Sequence, residues 1–201
     1  GKLKAVAKFG VGVDKIDLDA ASRHGVKVLN APGQNSNAVA ELTVCFILDL
    51  LREVVSTHKE LEEGKWPRKI GAELKGKTVG LVGFGAIARL VAKKLAGFEV
   101  NVKAYDIYMD AEKAAQLGVQ PCALDEVIST SDVISLHIPA TSETHHMFNR
   151  EMFARMKKGA YLVNAARGGL VDLDALTQAL REGHLAGAAL DAFEIEPLPR
   201  G

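Results

Sequence analysis

Short runs of β-branched and apolar residues alternate with stretches whose apolar positions recur at helical spacing, along the whole chain. This alternation predicts an α/β fold on a parallel sheet, because each parallel strand needs a crossover, usually a helix, before the next. Strands are predicted over Ala5–Phe9, Val26–Asn30, Thr78–Gly83, Val100–Asp106, Asp132–His137, Tyr161–Ala165 and Gly187–Phe193. Thr78-Val79-Gly80-Leu81-Val82 is nearly continuous in apolar residues, as a strand covered on both faces should be. Helices are predicted over Asp17–His24, Asn37–Glu63, Ala86–Ala96, Ala111–Gln116, Leu124–Ser129, Arg150–Met156 and Asp172–Glu182. Gly118 and Gly183 fall where a helix end wants a residue tolerant of positive φ.

In the longest helix, Val39, Leu42, Phe46, Leu50 and Val54 keep one apolar face, and Gly64-Lys65-Trp66-Pro67-Arg68 then reads as a loop. A long helix feeding a fresh α/β unit suits a crossover between two domains. The boundary is expected near Pro32-Gly33-Gln34. Residues 1–32, with two strands and one helix, are too little to stand alone and are expected to be the remnant of a second domain. Residues 33–201 would form the main domain, long helix included.

Composition narrows the class. The 201 residues are 48% hydrophobic and 25% charged, an ordinary globular balance, and 25 Lys+Arg cancel 25 Asp+Glu. Without a basic block, no nucleic-acid partner is expected. The apolar runs are too short to span a bilayer, so no membrane partner is expected either. Cys45 and Cys122 are too few for a disulfide scaffold and lie in no metal-ligand spacing; no metal is expected, and the thiols suit a cytoplasmic protein. The chain opens on Gly1 without a Met and stops just after Pro197-Leu198-Pro199, which reads as a piece of a larger protein.

The candidate chemistry begins at Gly83-Phe84-Gly85-Ala86-Ile87-Ala88, which fits G-x-G-x-x-G/A between a strand and a helix. In such a loop the first Gly makes a tight turn and the second lets a pyrophosphate approach. The third small residue lets helix and strand pack closely. Phosphate charge then rests on the free N–H groups at the start of the helix, here at Ala86 and Ile87. Asp106 ends the next strand about 20 residues on, where an acid binds the ribose hydroxyls of NAD. A carboxylate there repels the extra phosphate of NADP. The expected cofactor is NAD; the rival is S-adenosylmethionine in a methyltransferase, which also uses a Gly-rich loop and a strand-end acid.

Two later stretches favour a dehydrogenase. Asn164-Ala165-Ala166-Arg167-Gly168-Gly169 puts an Arg at the C-terminal end of a strand, the edge where open α/β sheets bind ligands. A guanidinium there can hold a carboxylate through two parallel bonds. Gly187–Pro197 repeats the arrangement with Asp191 and Glu196, either of which could equally be a helix cap or an ion-pair partner.

These residues together carry a family resemblance. The segments Lys8–Asp17, Asn30–Ser36, Gly83–Ala88, His137-Ile138-Pro139, Asn164–Asp172 and Gly187–Pro197 occur in the order found in the D-isomer-specific 2-hydroxyacid dehydrogenases, and the chain resembles that family over nearly its whole length. The resemblance implies a doubly wound Rossmann cofactor domain beside a remnant of a flavodoxin-like substrate domain. It implies hydride transfer between NAD and a small 2-hydroxy or 2-oxo acid. Arg167 then matches the catalytic Arg that grips the substrate carboxylate. Glu196 matches the acid that pairs with the catalytic His. Asp191 matches the residue contacting the nicotinamide amide, and His137, Pro139, Thr144 and Ala165 match positions around the cofactor. Lys8 and the Gly10-Val11-Gly12 backbone match the turn that meets the substrate.

Some positions depart from the pattern. The family's catalytic His follows the Glu-Pro segment shortly, and none of His24, His58, His137, His145, His146 and His184 matches it by motif. The chain as written is therefore expected to bind NAD and turn over little. Gly64-Lys65-Trp66-x-Arg68 resembles the stretch of phosphoglycerate-oxidising members in which an Arg approaches the substrate. The substrate expectation thus leans to D-3-phosphoglycerate, with glyoxylate, hydroxypyruvate or another D-2-hydroxy acid as alternatives. An NAD(H)-dependent protein-binding module of the same fold is the reading outside enzymes. The resemblance also implies a homodimer through the cofactor domain, with the long helix contributing.

Overall fold

Two parallel sheets organise the chain. The computed structural model describes residues 1–13 and 15–198; Asp14 and Pro199, both within segments singled out above, lie outside the described residues. The first sheet has only β1 (Ala5–Ala7) and β2 (Lys27–Leu29), in register through Val6 and Val28, with α1 (Leu18–Arg23) as the crossover. Asp17 starts α1 by accepting the Ala20 N–H at 2.7 Å.

From there α2 (Ser36–Arg52) and α3 (Val54–Glu62) lead to the main sheet. Its elements follow as β3 (Thr78–Val82), α4 (Ala86–Leu95), β4 (Asn101–Tyr105), α5 (Ala111–Gln116), β5 (Val119–Pro121), α6 (Leu124–Thr130) and β6 (Val133–Leu136). After these come α7 (Arg150–Arg155), β7 (Ala160–Asn164), α8 (Leu173–Arg181) and β8 (Leu185–Leu190). The strand order is β5-β4-β3-β6-β7-β8, every pair parallel. Growth of the sheet reverses between β3 and β6, and the loops after those two strands part to leave a crevice at their C-terminal ends.

The sheet is buried on both faces, which explains its apolar strands. On one face Ile47 and Leu51 of α2 and Val91 and Leu95 of α4 close over Val79 and Leu81; on the other Val82, Ile134 and Leu162 meet Ile128, Phe148 and Phe153. Polar caps set the helix starts: Asp110 accepts from Lys113 N–H, Asn149 from Met152 N–H, and Asp172 from Asp174 and Ala175 N–H. α2 packs on α4, β7 and β8, so it covers the main sheet directly. No helix among the described residues is long and apolar enough to cross a membrane.

Three expectations need correction. The helix predicted over Asn37–Glu63 breaks at Glu53, which takes a left-handed conformation (φ 53°) while Asp49 Oδ1 accepts the Val55 N–H at 2.9 Å. That side-chain bond supplies a partner the broken ladder cannot. β5, which was not predicted, is a three-residue edge strand ending in Pro121, tolerated there because an edge leaves one side unpaired. The last strand lies over Leu185–Leu190 and not Gly187–Phe193: the ladder ends when Asp191 N–H bonds Asn164 C=O, and the chain leaves the sheet as a strap.

Candidate functional site

Beyond Val82 the chain turns through Gly83-Phe84-Gly85 into α4. Gly83 has φ 99°, and a Cβ there would lie 2.7 Å from the His137 carbonyl oxygen, so both conformation and space demand glycine. At Gly85 a Cβ would meet nothing within 4 Å. Gly85 is the N-cap of α4 and has no side chain to accept the helix's first N–H groups. Open space above unsatisfied donors, at the positive end of a ten-residue helix, suits a pyrophosphate. The chemistry of these residues therefore fits a dinucleotide.

Asp106 braces this turn. Its Oδ2 accepts Phe84 N–H at 2.6 Å and its Oδ1 accepts Tyr108 N–H at 2.8 Å. A carboxylate has about four lone-pair sites, so capacity remains for hydroxyl donors. Arg89 adds a second brace, donating to Phe84 C=O at 2.9 Å and pairing with Asp110 at 3.3 Å.

Below the turn lies a cleft of about 680 Å³ between the small sheet and the C-terminal ends of β6, β7 and β8. The segment after β1 contributes Lys8, Val11 and Gly12, and α4 contributes Ile87. The loop after β6 adds His137 and Pro139, the turn after β7 adds Ala165 and Arg167, and the strap adds Asp191 and Glu196. Six predicted residues are not in its lining: Gly83, Gly85, Ala86 and Asp106 belong to the glycine turn and its brace, and Arg68 and Thr144 lie elsewhere. Arg68 is exposed in the stretch after α3, and Thr144 spends its hydroxyl on the Pro139 carbonyl at 2.8 Å.

Arg167 owes its place to a neighbour that sequence reasoning passed over. Asn164, fully buried at the end of β7, donates to the Arg167 carbonyl at 2.8 Å and accepts Ala166 N–H at 3.0 Å. A polar residue closing an apolar strand was the available signal. Gly168 then packs on the strap so tightly that a Cβ would lie 2.0 Å from the Phe193 carbonyl carbon. Glu196 accepts Phe193 N–H at 3.2 Å, and Lys15 stands 3.8 Å from its other oxygen. On the small-sheet side, Asn30 ties the turn by donating to Val11 C=O at 2.7 Å.

His137 sits at the floor of the cleft with its Nε2 3.0 Å from Ser135 Oγ. One edge reaches the cleft, but protein surrounds the ring, and burial pushes its pKa from 6.5 to about 4. It is a neutral imidazole at pH 7.

Comparison with known proteins agrees with this geometry. The family described as D-isomer specific 2-hydroxyacid dehydrogenase, NAD binding domain, matches residues 44–201. D-3-phosphoglycerate dehydrogenase of Bacillus subtilis is 43% identical over 197 residues, 97% of this chain and 38% of the relative. Glyoxylate reductase of Thermofilum pendens is 44% identical over 205 residues, 98% of this chain and 60% of the relative. The chain thus spans between about two fifths and three fifths of these curated relatives. The crystal structure of NAD-dependent formate dehydrogenase from Staphylococcus aureus in complex with NAD superimposes with a TM-score of 0.89 at 41% identity, covering 98% of this chain and 60% of that one. A six-stranded parallel sheet with a glycine turn at its switch point, matched over most of the chain by that model, identifies a member of the D-isomer specific 2-hydroxyacid dehydrogenases that carries their NAD-binding domain.

Proposed function

We propose that the chain provides the NAD site and half the substrate site of a D-2-hydroxyacid dehydrogenase, with D-3-phosphoglycerate as the leading substrate. The carrying observation is that Arg167, Asp191 and Glu196 share one cleft with the Gly10-Val11-Gly12 turn. In this reading residues 1–32 belong to a flavodoxin-like substrate domain and residues 33–201 form the cofactor domain, which pairs with a second copy in a homodimer.

Bound NAD supplies the hydride acceptor. Gly83, Gly85 and the first N–H groups of α4, at Ala86 and Ile87, hold its pyrophosphate, and Asp106 takes the ribose hydroxyls. Asp191 would reach the nicotinamide amide, while His137, Pro139 and Ala165 shape the pocket around it and Thr144 acts from outside the lining by holding the Pro139 carbonyl. Arg167 binds the substrate carboxylate and polarises the oxygen at the reacting carbon, stabilising charge where it develops. Lys8 and the Val11 and Gly12 backbone hold the carboxylate from the other side, fixing the approach. Glu196 orients the acid–base histidine that the family places after the Glu-Pro segment. Arg68 would meet a substrate phosphate only through a rearrangement of its loop or a neighbouring subunit, since it lies outside this cleft.

Calorimetric titration with NAD⁺, NADP⁺ and S-adenosylmethionine tests the cofactor reading. Saturable binding of NAD⁺ alone is expected; binding of S-adenosylmethionine, or of none of the three, overturns it. Reduction of phosphohydroxypyruvate against glyoxylate by the protein tests the substrate, and a preference for glyoxylate removes the phosphoglycerate reading.

A further inference from the structure

Beside the cleft, on the loop after β6, His145 and His146 both aim their rings at one carboxylate. His145 Nε2 lies 2.8 Å from Glu194 Oε1, and His146 Nε2 lies 2.9 Å from Glu194 Oε2. The two rings stack with centroids 3.9 Å apart at 20°. The ligand atoms of all three residues lie within 4.8 Å of one another.

Consecutive side chains ordinarily point apart. These converge because His146 is left-handed (φ 49°), a conformation uncommon outside glycine, while its N–H is fixed on the Gly169 carbonyl at 2.8 Å. Glu194 is held from the other side, its backbone N only 2.2 Å from where a Gly168 Cβ would stand. His146 and Glu194 are thus positioned by the Arg167–Leu170 segment, while His145 N–H is tied to the Thr141 carbonyl at 2.9 Å. Hydrogen bonds from both imidazoles keep Glu194 below the usual carboxylate range, so it is ionised at neutral pH.

We propose that His145, His146 and Glu194 bind a zinc ion, which clasps the strap after β8 to the loop after β6. Two imidazoles and a carboxylate are a donor set zinc accepts, with the solvent side left for water as the fourth ligand. Magnesium and calcium prefer oxygen donors and are not expected here. With metal–ligand bonds of about 2.0–2.2 Å, the corners of a tetrahedral site stand about 3.4 Å apart. Small side-chain rotations reach that spacing from the observed one. Such a clasp grips the Gly168-Gly169 turn between its two arms. It is independent of the dehydrogenase reading, since its test reads cation binding and not turnover.

The experiment titrates tag-free, metal-stripped protein with Co²⁺, followed by its visible absorption, and then with Zn²⁺ in competition. Thermal melting with and without Zn²⁺ is run alongside. One saturable site per chain is expected, with a higher melting temperature in Zn²⁺, because a ligand that binds only the folded state stabilises it. Glu194→Gln and His145→Gln should each weaken Co²⁺ binding by at least ~10-fold, the scale of a lost metal-supporting group. His146→Gln is a further variant, read only if its circular dichroism is native. Absence of saturable binding up to about 1 mM cation, or binding that both Glu194→Gln and His145→Gln leave unchanged, overturns the proposal.

Discussion

Replacing His137 by Gln keeps a hydrogen-bonding group facing Ser135 and removes the titration. In the native protein burial lowers the ring's pKa from 6.5 to about 4. At about 1.36 kcal/mol per tenfold change in proton affinity, keeping the ring neutral is linked to about 3 kcal/mol of stability at full expression. The sign follows from where the proton binds. Between pH 4 and 6.5 the unfolded chain takes up a proton that the native chain refuses, so unfolding gains as pH falls. The contribution is complete above the unfolded pKa and is lost as pH drops towards the folded one; by pH 5 about 2 kcal/mol should be gone. Urea unfolding from pH 8 to pH 5 measures it. Other groups titrate in both proteins, so the quantity is the difference between the native and His137→Gln curves. The native protein should lose about 2 kcal/mol more than the variant over that range. Parallel curves would refute the reasoning and mean that water reaches the ring freely or that it moves out when protonated.

The glycine turn separates a structural from a binding role. Gly85→Val points a side chain into open space, so NAD⁺ affinity by calorimetry should fall at least ~10-fold while the melting temperature moves little. Gly83→Ala meets the His137 carbonyl at 2.7 Å from a φ of 99°, and should lower stability by about 1–3 kcal/mol in urea unfolding as well as affinity. Gly168→Ala drives a methyl into the Phe193 and Glu194 backbone. It should cost about 3 kcal/mol or more, and melting equal to the native protein's would show that the strap is not seated on Gly168.

The parts of this fold that sequence reveals are those decided by residues close together in the chain. Val79-Gly80-Leu81-Val82 announces a strand buried on both faces, and the glycines with Asp106 announce the turn that follows it, because each is a local conformational demand. The break at Glu53 is local too, but no residue type there demands it. No Gly or Pro marks it, and it depends on Asp49 reaching forward to the Val55 N–H. β5 was too short for a period to register. Arg68 read as a substrate residue from a short motif, yet its position is set by where the loop after α3 lies, which no local pattern states. The His145–His146–Glu194 group was out of reach altogether, since its carboxylate lies 48 and 49 residues from its imidazoles and arrives only through the strap.

The same dependence on distant neighbours bears on how Arg167 holds its position. Its turn is anchored at the far end by Leu170, fully buried in the core, and the rest is set by polar and backbone contacts. It hangs on two amide bonds from buried Asn164, on the absence of a side chain at Gly168, and on a strap whose Glu196 caps Phe193 N–H. An unpaired buried amide is costly, so the Asn164 bonds resist deformation, whereas the polar side-chain contacts of the strap, from His145 and His146 to Glu194 and from Lys15 to Glu196, lie at the surface where water can replace them. Any motion that opens the cleft therefore has its easiest path on the strap side. Asp191 and Glu196 would move with it while Arg167 and the glycine turn stay fixed to the sheet, leaving the pyrophosphate turn and the guanidinium rigid and the carboxylates of the strap adjustable.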